Sequence, residues 1–155
     1  MAKIRELMVT ETITATSNES VAEAAQRMSS NRVGAVLVVD RGVLRGLLSE
    51  RDVLTRVVAE GRDPRETRVG DVATRVVVTI DVNAPLRSVL GLFREKKFRH
   101  LPVLEAGKPV GILSTRDFLD YLVDGLERFI DDATYRRELA QGVDPYDHFG
   151  GSYGK

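Results

Sequence analysis

Two short segments of the sequence place a hydroxyl and a carboxylate at the same spacing. Ser49 and Asp52 are separated by two residues, and so are Ser114 and Asp117. In the first turn of a helix, the serine would lie beside unpaired backbone N–H groups, which attract phosphate. The aspartate offers about four acceptor sites, enough to hold the 2′- and 3′-hydroxyls of a ribose. The same spacing is a capping box that needs no ligand, so nucleotide binding and helix capping both stay open.

A second candidate group is basic. Residues 94–100 have a net charge of +3 with histidine neutral, whereas residues 29–35 contain a single charge, that of Arg32. Arg99 and His100 directly precede an apolar segment, and an arginine there can bind phosphate through its planar fork. An alternative explains the same residues equally well: the cations stabilise the C-terminal end of a helix through its dipole, and the histidine has a structural role beside the core.

These two groups lie in an internal repeat. Residues 1–59 align with residues 66–124 at an offset of 65 without a gap and with 11 identities. Five of the identities fall within Gly46–Asp52 and its counterpart Gly111–Asp117. The repeated glycine allows a sharp bend or a close approach of another backbone segment. The clustering is what a retained site or a retained turn would produce.

Hydrophobic periodicity and turn residues predict the order β-α-β-β-α in each repeat. Ser20 and Glu23 form a capping box at the start of the first helix, and Pro85 suits the first turn of its counterpart. The predicted strands are 12–16, 36–39 and 43–48, then 76–80, 101–104 and 109–113; the closing helices run from Glu50 to about Ala59 and from Thr115 to about Leu126. We therefore expect an α+β (mixed α/β) fold of two repeats packed with pseudo-two-fold symmetry, with a cleft on each side of their junction.

Composition limits the functions that remain. The 155 residues include 23 Lys and Arg, 23 Asp and Glu, no Cys and two His. Zero net charge argues against a surface built for nucleic acid or anionic lipid, and the lack of Cys removes disulfides and thiolate metal sites. Asp144, Asp147 and His148 match no metal-ligand spacing, so we expect no metal. We expect neither a nucleic-acid nor a membrane partner.

The chain is predicted to be cytoplasmic, because it has neither a long apolar run nor a secretory signal. We expect three segments: repeat 1 (residues 1–65), repeat 2 (66–124), and a helix extension with a flexible tail (125–155). Leu126, Phe129, Ile130 and Ala133 continue a helical apolar stripe into that extension, which is typical of core or dimer contacts.

Both repeats resemble CBS motifs, named after cystathionine β-synthase, and together they resemble a tandem CBS pair or Bateman module over residues 3–124. The resemblance rests on Val33–Asp40 with Gly46–Asp52, and on Phe98–Val103 with Gly111–Asp117. It implies a pair that binds adenosine-containing ligands such as AMP, ADP, ATP, NAD or S-adenosylmethionine, and that forms a homodimer through its helices.

The resemblance also implies two sets of site residues. One site would combine the second-repeat aspartate with a basic pair and an adenine-binding strand: Ser114, Asp117, Arg99, His100, Thr12, Ile13 and Thr14. The other would use Ser49, Asp52, Gly34, Ala35, Val77, Val78 and Thr79. Because Gly34 and Ala35 stand where the basic pair should be, this second site fits a less charged ligand, different occupancy or an empty site.

We therefore expect a regulatory sensor whose conformation or assembly changes when an adenine nucleotide binds, with no catalytic residues and no catalytic cofactor. Because the chain contains no output domain, the regulated partner would be another protein or its own oligomer. The alternative is a structural or interaction protein with vestigial sites, in which Asp52 and Asp117 only cap helices.

Overall fold

Two β-sheets of three strands each form the framework of the protein. The computed structural model describes residues 4–96 and 99–141. The first sheet contains β1 (Thr14–Ala15), β2 (Ala35–Asp40) and β3 (Val43–Ser49), and the second contains β4 (Ile80–Asp81), β5 (His100–Glu105) and β6 (Lys108–Ser114). In each sheet the first strand runs parallel to the second, and the second runs antiparallel to the third. Both sheets have a register shift at the same point, after Val38 and after Val103.

The helices follow the same repeated plan. They are α1 (Ile4–Leu7), α2 (Val21–Asn31), α3 (Glu50–Val53), which continues into a π-helix (Leu54–Val58), α4 (Val69–Val72), α5 (Leu86–Lys96) and α6 (Thr115–Ala140). Each repeat thus begins with a one-turn helix before the predicted β-α-β-β-α order. The prediction of an α+β fold built from two repeats is confirmed.

Local sequence explains where α2 begins and ends. Ser20 accepts a hydrogen bond from the Glu23 backbone, and the Glu23 side chain accepts one from the Ser20 backbone, so the predicted capping box is confirmed. Val21, Ala24 and Met28 lie on one face of the helix and are buried. Arg32 ends the helix in the left-handed region, at φ 54°.

Several boundaries differ from the sequence prediction. β1 and β4 are two-residue strands, shorter than the predicted 12–16 and 76–80, because each pairs with its neighbour over only two residues. Val76 is 92% exposed, so its β propensity is not supported by packing. α6 continues beyond Leu126 to Ala140.

The two repeats exchange short segments. Val69, Val72 and Ala73, which begin the second repeat, belong to the hydrophobic core of the first. Just after them, Thr74 exchanges two backbone hydrogen bonds with Leu47 of β3, at 2.9 and 3.0 Å. Val9 and Ile112 of β6 form the equivalent pair, also at 2.9 and 3.0 Å.

This exchange explains the repeated glycine. A Cβ atom at Gly46 would lie 2.7 Å from the Thr74 carbonyl oxygen, and one at Gly111 would lie 3.0 Å from that of Val9. Both distances are shorter than ordinary van der Waals contact. The glycines are therefore needed for the close approach of the exchanged segment, one of the two roles expected for them.

The chain divides into two compact units, Met1–Asp117 and Phe118–Lys155. The described part of the second unit is the remainder of α6, in which the rings of Phe118 and Tyr121 lie 6.4 Å apart. The proposed tail lies largely outside the described residues, which end at 141. The three segments predicted from the sequence stay a prediction.

Candidate functional site

The largest cavity described lies within the first compact unit, between the two repeats. Its volume is about 630 Å³, and we call it the Asp117 cleft. Six of the seven residues predicted for the first site line it: Thr12, Ile13, Arg99, His100, Ser114 and Asp117. The seventh, Thr14, is not part of the lining; its carbonyl oxygen accepts a hydrogen bond from Arg27 Nη1 at 2.6 Å.

A smaller cavity of about 210 Å³ contains the other aspartate, and we call it the Asp52 cleft. Of the residues predicted for the second site, Ser49, Asp52 and Gly34 line it. Ala35 lines the Asp117 cleft instead, and Val77, Val78 and Thr79 line neither cavity. Thr74 takes their place because it pairs with Leu47, which also lines the cleft.

Both aspartates are held by the serine three residues before them. Asp52 Oδ2 accepts hydrogen bonds from Ser49 N at 2.9 Å and Ser49 Oγ at 2.8 Å. Asp117 Oδ2 accepts from Ser114 N at 3.1 Å and Ser114 Oγ at 2.6 Å. Each serine hydroxyl accepts in turn from the aspartate backbone N–H. The capping interpretation is thus confirmed in both repeats, and it uses only one oxygen of each carboxylate.

The second oxygen distinguishes the two aspartates. Asp52 Oδ1 accepts a hydrogen bond from Thr74 Oγ1 at 3.3 Å and lies 3.6 Å from Arg56 Nε. Arg56 also donates to the Val72 carbonyl oxygen at 2.8 Å, which fixes its position. With four partners and only 8% exposure, Asp52 has its acceptor sites occupied by the protein.

The carboxylate of Asp117, by contrast, has an open edge at its Oδ1 atom. Within the described residues, Oδ1 of Asp117 has no hydrogen-bond or ion-pair partner, and the residue is half-buried in the wall of the larger cleft. At the sequence positions of Thr74 and Arg56, the other repeat has Val9 and Tyr121. Two acceptor sites of Asp117 therefore remain for a ligand.

The two clefts share one wall. Gly34, Glu50, Arg99 and His100 line both cavities. A Cβ atom at Gly34 would lie 3.5 Å from His100 Nε2 and 3.6 Å from the Glu50 carboxylate, so these groups are packed closely. Burial lowers the pKa of His100, an effect that the Glu50 carboxylate opposes and the Arg99 charge reinforces.

The residues that the sequence analysis missed are Thr74, Arg56 and Glu50. Each stands at a position where the two repeats differ, and only Glu50 lies directly beside identical positions, Ser49 and Arg51. The Arg56 contact follows from its i,i+4 spacing from Asp52, whereas the contact of Thr74 with Asp52 depends on the exchanged segment.

Other kinds of site are not found in the part of the chain that the structure describes. Residues 4–96 and 99–141 contain no group of three or more His, Asp or Glu side chains arranged to hold a metal ion. Asp144, Asp147 and His148 lie outside the described residues. Among the described helices, none combines the length and apolar character needed to cross a membrane.

The protein therefore belongs, by its fold, to the class of modules in which two α+β repeats form a ligand-sized cleft between them. The sequence profile of the CBS domain matches residues 4–59 and 69–124. The chain belongs to the CBS-domain family, and the resemblance seen in the sequence is confirmed.

Individual relatives agree with this assignment. CBS domain-containing protein YhcV of Bacillus subtilis is 34% identical over 117 residues, which cover 76% of this chain and 83% of YhcV. The solved CBS domain NE2398 is 29% identical, with a TM-score of 0.73 and coverage of 79% of this chain and 98% of that one. CBS domain protein PAE2072 from Pyrobaculum aerophilum, solved in complex with AMP, is 27% identical, with a TM-score of 0.69 and coverage of 75% and 89%. The chain spans only about a quarter of the length of several Arabidopsis thaliana relatives.

Proposed function

We propose that this protein is a regulatory module that binds an adenosine nucleotide in the Asp117 cleft. The observation that carries the proposal is the open edge of Asp117 beside Arg99 and His100 in a cavity of about 630 Å³. That volume lies within the range of about 300–1,000 Å³ typical of small-molecule sites, whereas the Asp52 cleft falls below it. The AMP complex of PAE2072 supports the ligand class.

Recognition of the ribose would depend on Asp117. Its free Oδ1 can accept hydrogen bonds from two neighbouring hydroxyls, while Oδ2 stays bonded to Ser114. Hydrogen bonds to a charged acceptor are stronger than those between neutral groups. The capping role of Asp117 is therefore compatible with ligand binding and holds the carboxylate in place for it.

Recognition of adenine and phosphate would use the two sides of the same cleft. Thr12 and Ile13 precede β1 and offer backbone groups and an apolar side chain to the base. Arg99 supplies a planar cation for the phosphate. His100 is half-buried, and its lowered pKa keeps the ring neutral near pH 7, so it would donate a hydrogen bond without adding charge.

The proposed output is a change in self-association. α6 carries Asp117 in its first turn and continues to Ala140. Leu119, Leu122, Leu126, Phe129 and Ile130 follow helical spacing, and all are between 45% and 70% exposed. An apolar stripe of this length favours a homodimer in which a second copy covers it. A nucleotide would shift the assembly only to the extent that it binds one state more tightly.

Thermal unfolding with and without nucleotide tests the binding site. A ligand at ~100 times its dissociation constant stabilises by about 2.7 kcal/mol, which for this length raises Tm by roughly 5–10 °C. We expect such a shift with at least one of AMP, ADP, ATP, NAD and S-adenosylmethionine. Asp117→Asn keeps a capping oxygen but removes the second acceptor, and should weaken binding at least tenfold, about 1.4 kcal/mol.

Asp52→Asn is the matched control, because its carboxylate is already occupied by the protein. We expect it to leave the dissociation constant within about twofold of the unmodified protein. No shift with any of the five ligands would favour the alternative of an interaction protein with vestigial sites. Equal weakening by both substitutions would show that the open edge of Asp117 is not what binds ribose.

Self-association is tested separately by light scattering. Phe129→Glu in the apolar stripe should shift the protein from dimer to monomer. A dimer that survives this substitution, or a monomer without it, would contradict the proposed output while leaving nucleotide binding intact.

A further inference from the structure

A third cavity, of about 410 Å³, shares no lining residue with either cleft. It lies within the first compact unit, and three arginines line it: Arg45 of β3, and Arg68 and Arg75 on either side of α4. We call it the arginine pocket. Asp71 is the acidic residue in its wall.

The positive charge of this pocket is only partly balanced by the protein. Of the ion pairs found among residues 4–96 and 99–141, none involves Arg45, Arg68 or Arg75. Asp40, whose carboxylate accepts both the N–H and the hydroxyl of Ser17 at 3.0 and 2.5 Å, is close enough to Arg45 to offset part of its charge. The Asp117 cleft, by contrast, has three arginines facing three carboxylates.

Neutral groups orient two of the three guanidinium groups. Arg68 Nη1 donates to Asn18 Oδ1 at 3.1 Å, and Arg75 Nη2 donates to the Gly70 carbonyl oxygen at 3.0 Å. Neither acceptor carries a charge, so both arginines are positioned while their positive charge remains available. Side chains held in this way lose less conformational entropy when an anion binds.

The backbone around the pocket is firmly connected. Gly70 N donates to Ser17 O at 2.9 Å, and Val69 N donates to Glu19 O at 2.9 Å. A Cβ atom at Gly70 would lie 3.0 Å from the Ser17 side chain, which shows how closely the two segments approach. Two of the segments that form the pocket are thus fixed to each other before any ligand arrives.

We propose that the arginine pocket is a second ligand site, which binds a phosphate-type oxyanion carrying two or more negative charges. Three guanidinium forks outnumber the two nearby carboxylates, those of Asp71 and Asp40, and their planar geometry favours a multivalent oxyanion over a single carboxylate or chloride. The size of the pocket admits a diphosphate or triphosphate group, either as a free ion or as part of a nucleotide. The proposal does not depend on nucleotide binding in the Asp117 cleft.

An amide-resolved NMR titration of the full chain with inorganic pyrophosphate at about 0.1 M salt tests the site, because weaker surface attraction is screened there. We expect saturable shifts at the amides of Asn18 and Gly70, and none at Gly34 or Ser114. A parallel titration with AMP distinguishes a free phosphate from a nucleotide phosphate. Shifts by AMP at Gly34 alone would assign the arginine pocket to free polyphosphate, whereas shifts at Gly70 as well would assign it to either source.

Substitutions locate the binding groups. Arg45→Gln, Arg68→Gln and Arg75→Gln should each weaken pyrophosphate binding about 3- to 10-fold, the effect of one hydrogen bond. Arg62→Gln removes an exposed arginine that lines none of the three cavities and should have no effect. Arg68→Lys retains the charge but loses the fork, and should bind with intermediate affinity.

The proposal is overturned if pyrophosphate causes no saturable shift at Gly70, or if the shifts appear at Gly34 and Ser114 instead. It is also overturned if Arg62→Gln weakens binding as much as the pocket substitutions do, because that result indicates nonspecific attraction. Amide spectra of each variant without ligand confirm that the fold is retained before affinities are compared.

Discussion

Replacing Gly46 with alanine places a methyl group against the exchanged segment that joins the two repeats. The added Cβ would lie 2.7 Å from the Thr74 carbonyl oxygen, a backbone atom that cannot rotate away. Gly46 is itself paired with Val38 in the sheet. To reach ordinary contact, the Thr74 segment must therefore move away from β3.

That movement weakens the two hydrogen bonds between Thr74 and Leu47, which are 2.9 and 3.0 Å long. Losing both costs about 2 kcal/mol, and the displaced backbone adds strain of about 1–2 kcal/mol. Alanine has less conformational entropy than glycine in the unfolded chain, which offsets about 0.5–1 kcal/mol of this loss in stability. We expect a net loss of about 2–3 kcal/mol, which lowers Tm by roughly 5–10 °C.

The assay is reversible thermal unfolding followed by circular dichroism. Gly91→Ala in α5 is the matched control, because a Cβ there has no atom within 4 Å. In a helix interior this change should stabilise the protein by about 1 kcal/mol and raise Tm by roughly 2–4 °C. If Gly46→Ala unfolds at or above the Tm of the unmodified protein, close approach of the exchanged segment is not why this glycine is present.

Two further predictions concern charged groups in the shared region. Asp52→Asn should lower the free energy of unfolding by about 1–2 kcal/mol, because it disturbs the helix cap and the contacts of Asp52 with Thr74 and Arg56 together. Asp117→Asn should lower it less. Equal denaturation midpoints for the two variants would contradict the assigned contacts. Burial lowers the pKa of His100, so the unfolded chain binds its proton more readily than the folded protein does. The stability that this provides is complete above the unfolded pKa of about 6.5 and is lost as the pH falls below it. Tm should therefore fall between about pH 7.5 and 5.5, and less steeply in His100→Gln; an unchanged slope would show that His100 is not responsible.

Features that depend on local sequence were predictable. The capping boxes at Ser20, Ser49 and Ser114 follow from residue types three positions apart, and the structure contains all three. The hairpin turns follow from Gly42 and Gly107, which have φ values of 77° and 78°. These features form because neighbouring residues satisfy one another, so no information from distant parts of the chain is required.

Features that depend on distant pairing were not predictable from one sequence. The position of Thr74 in the Asp52 cleft requires that its segment cross to the other repeat, and nothing local to Thr74 specifies this pairing. The family resemblance implies Val77, Val78 and Thr79 in that site, beside a predicted strand 76–80, but the strand that forms is Ile80–Asp81. The π-helix from Leu54 to Val58 was likewise not predicted, since helical sequence patterns do not distinguish i→i+5 from i→i+4 hydrogen bonding.

The wall that the two clefts share predicts how many nucleotides bind to each chain. Arg99 and His100 line both clefts, and the first repeat supplies Gly34 and Ala35 in the corresponding positions, so a second basic pair does not exist. Under the proposed function, a phosphate bound from the Asp117 cleft uses Arg99 and His100, which leaves Arg51 as the other arginine in the lining of the Asp52 cleft.

Two anions on that one wall would also repel each other, because their separation would be short and the wall is partly buried. Isothermal titration calorimetry should therefore give one AMP per chain, at a salt concentration that suppresses weak binding elsewhere. Arg99→Gln should weaken that single event without revealing another. A stoichiometry of two with similar affinities that persists in Arg68→Gln would mean that the clefts act independently, and that duplication of the fold has preserved two equivalent sites despite the divergence at this wall.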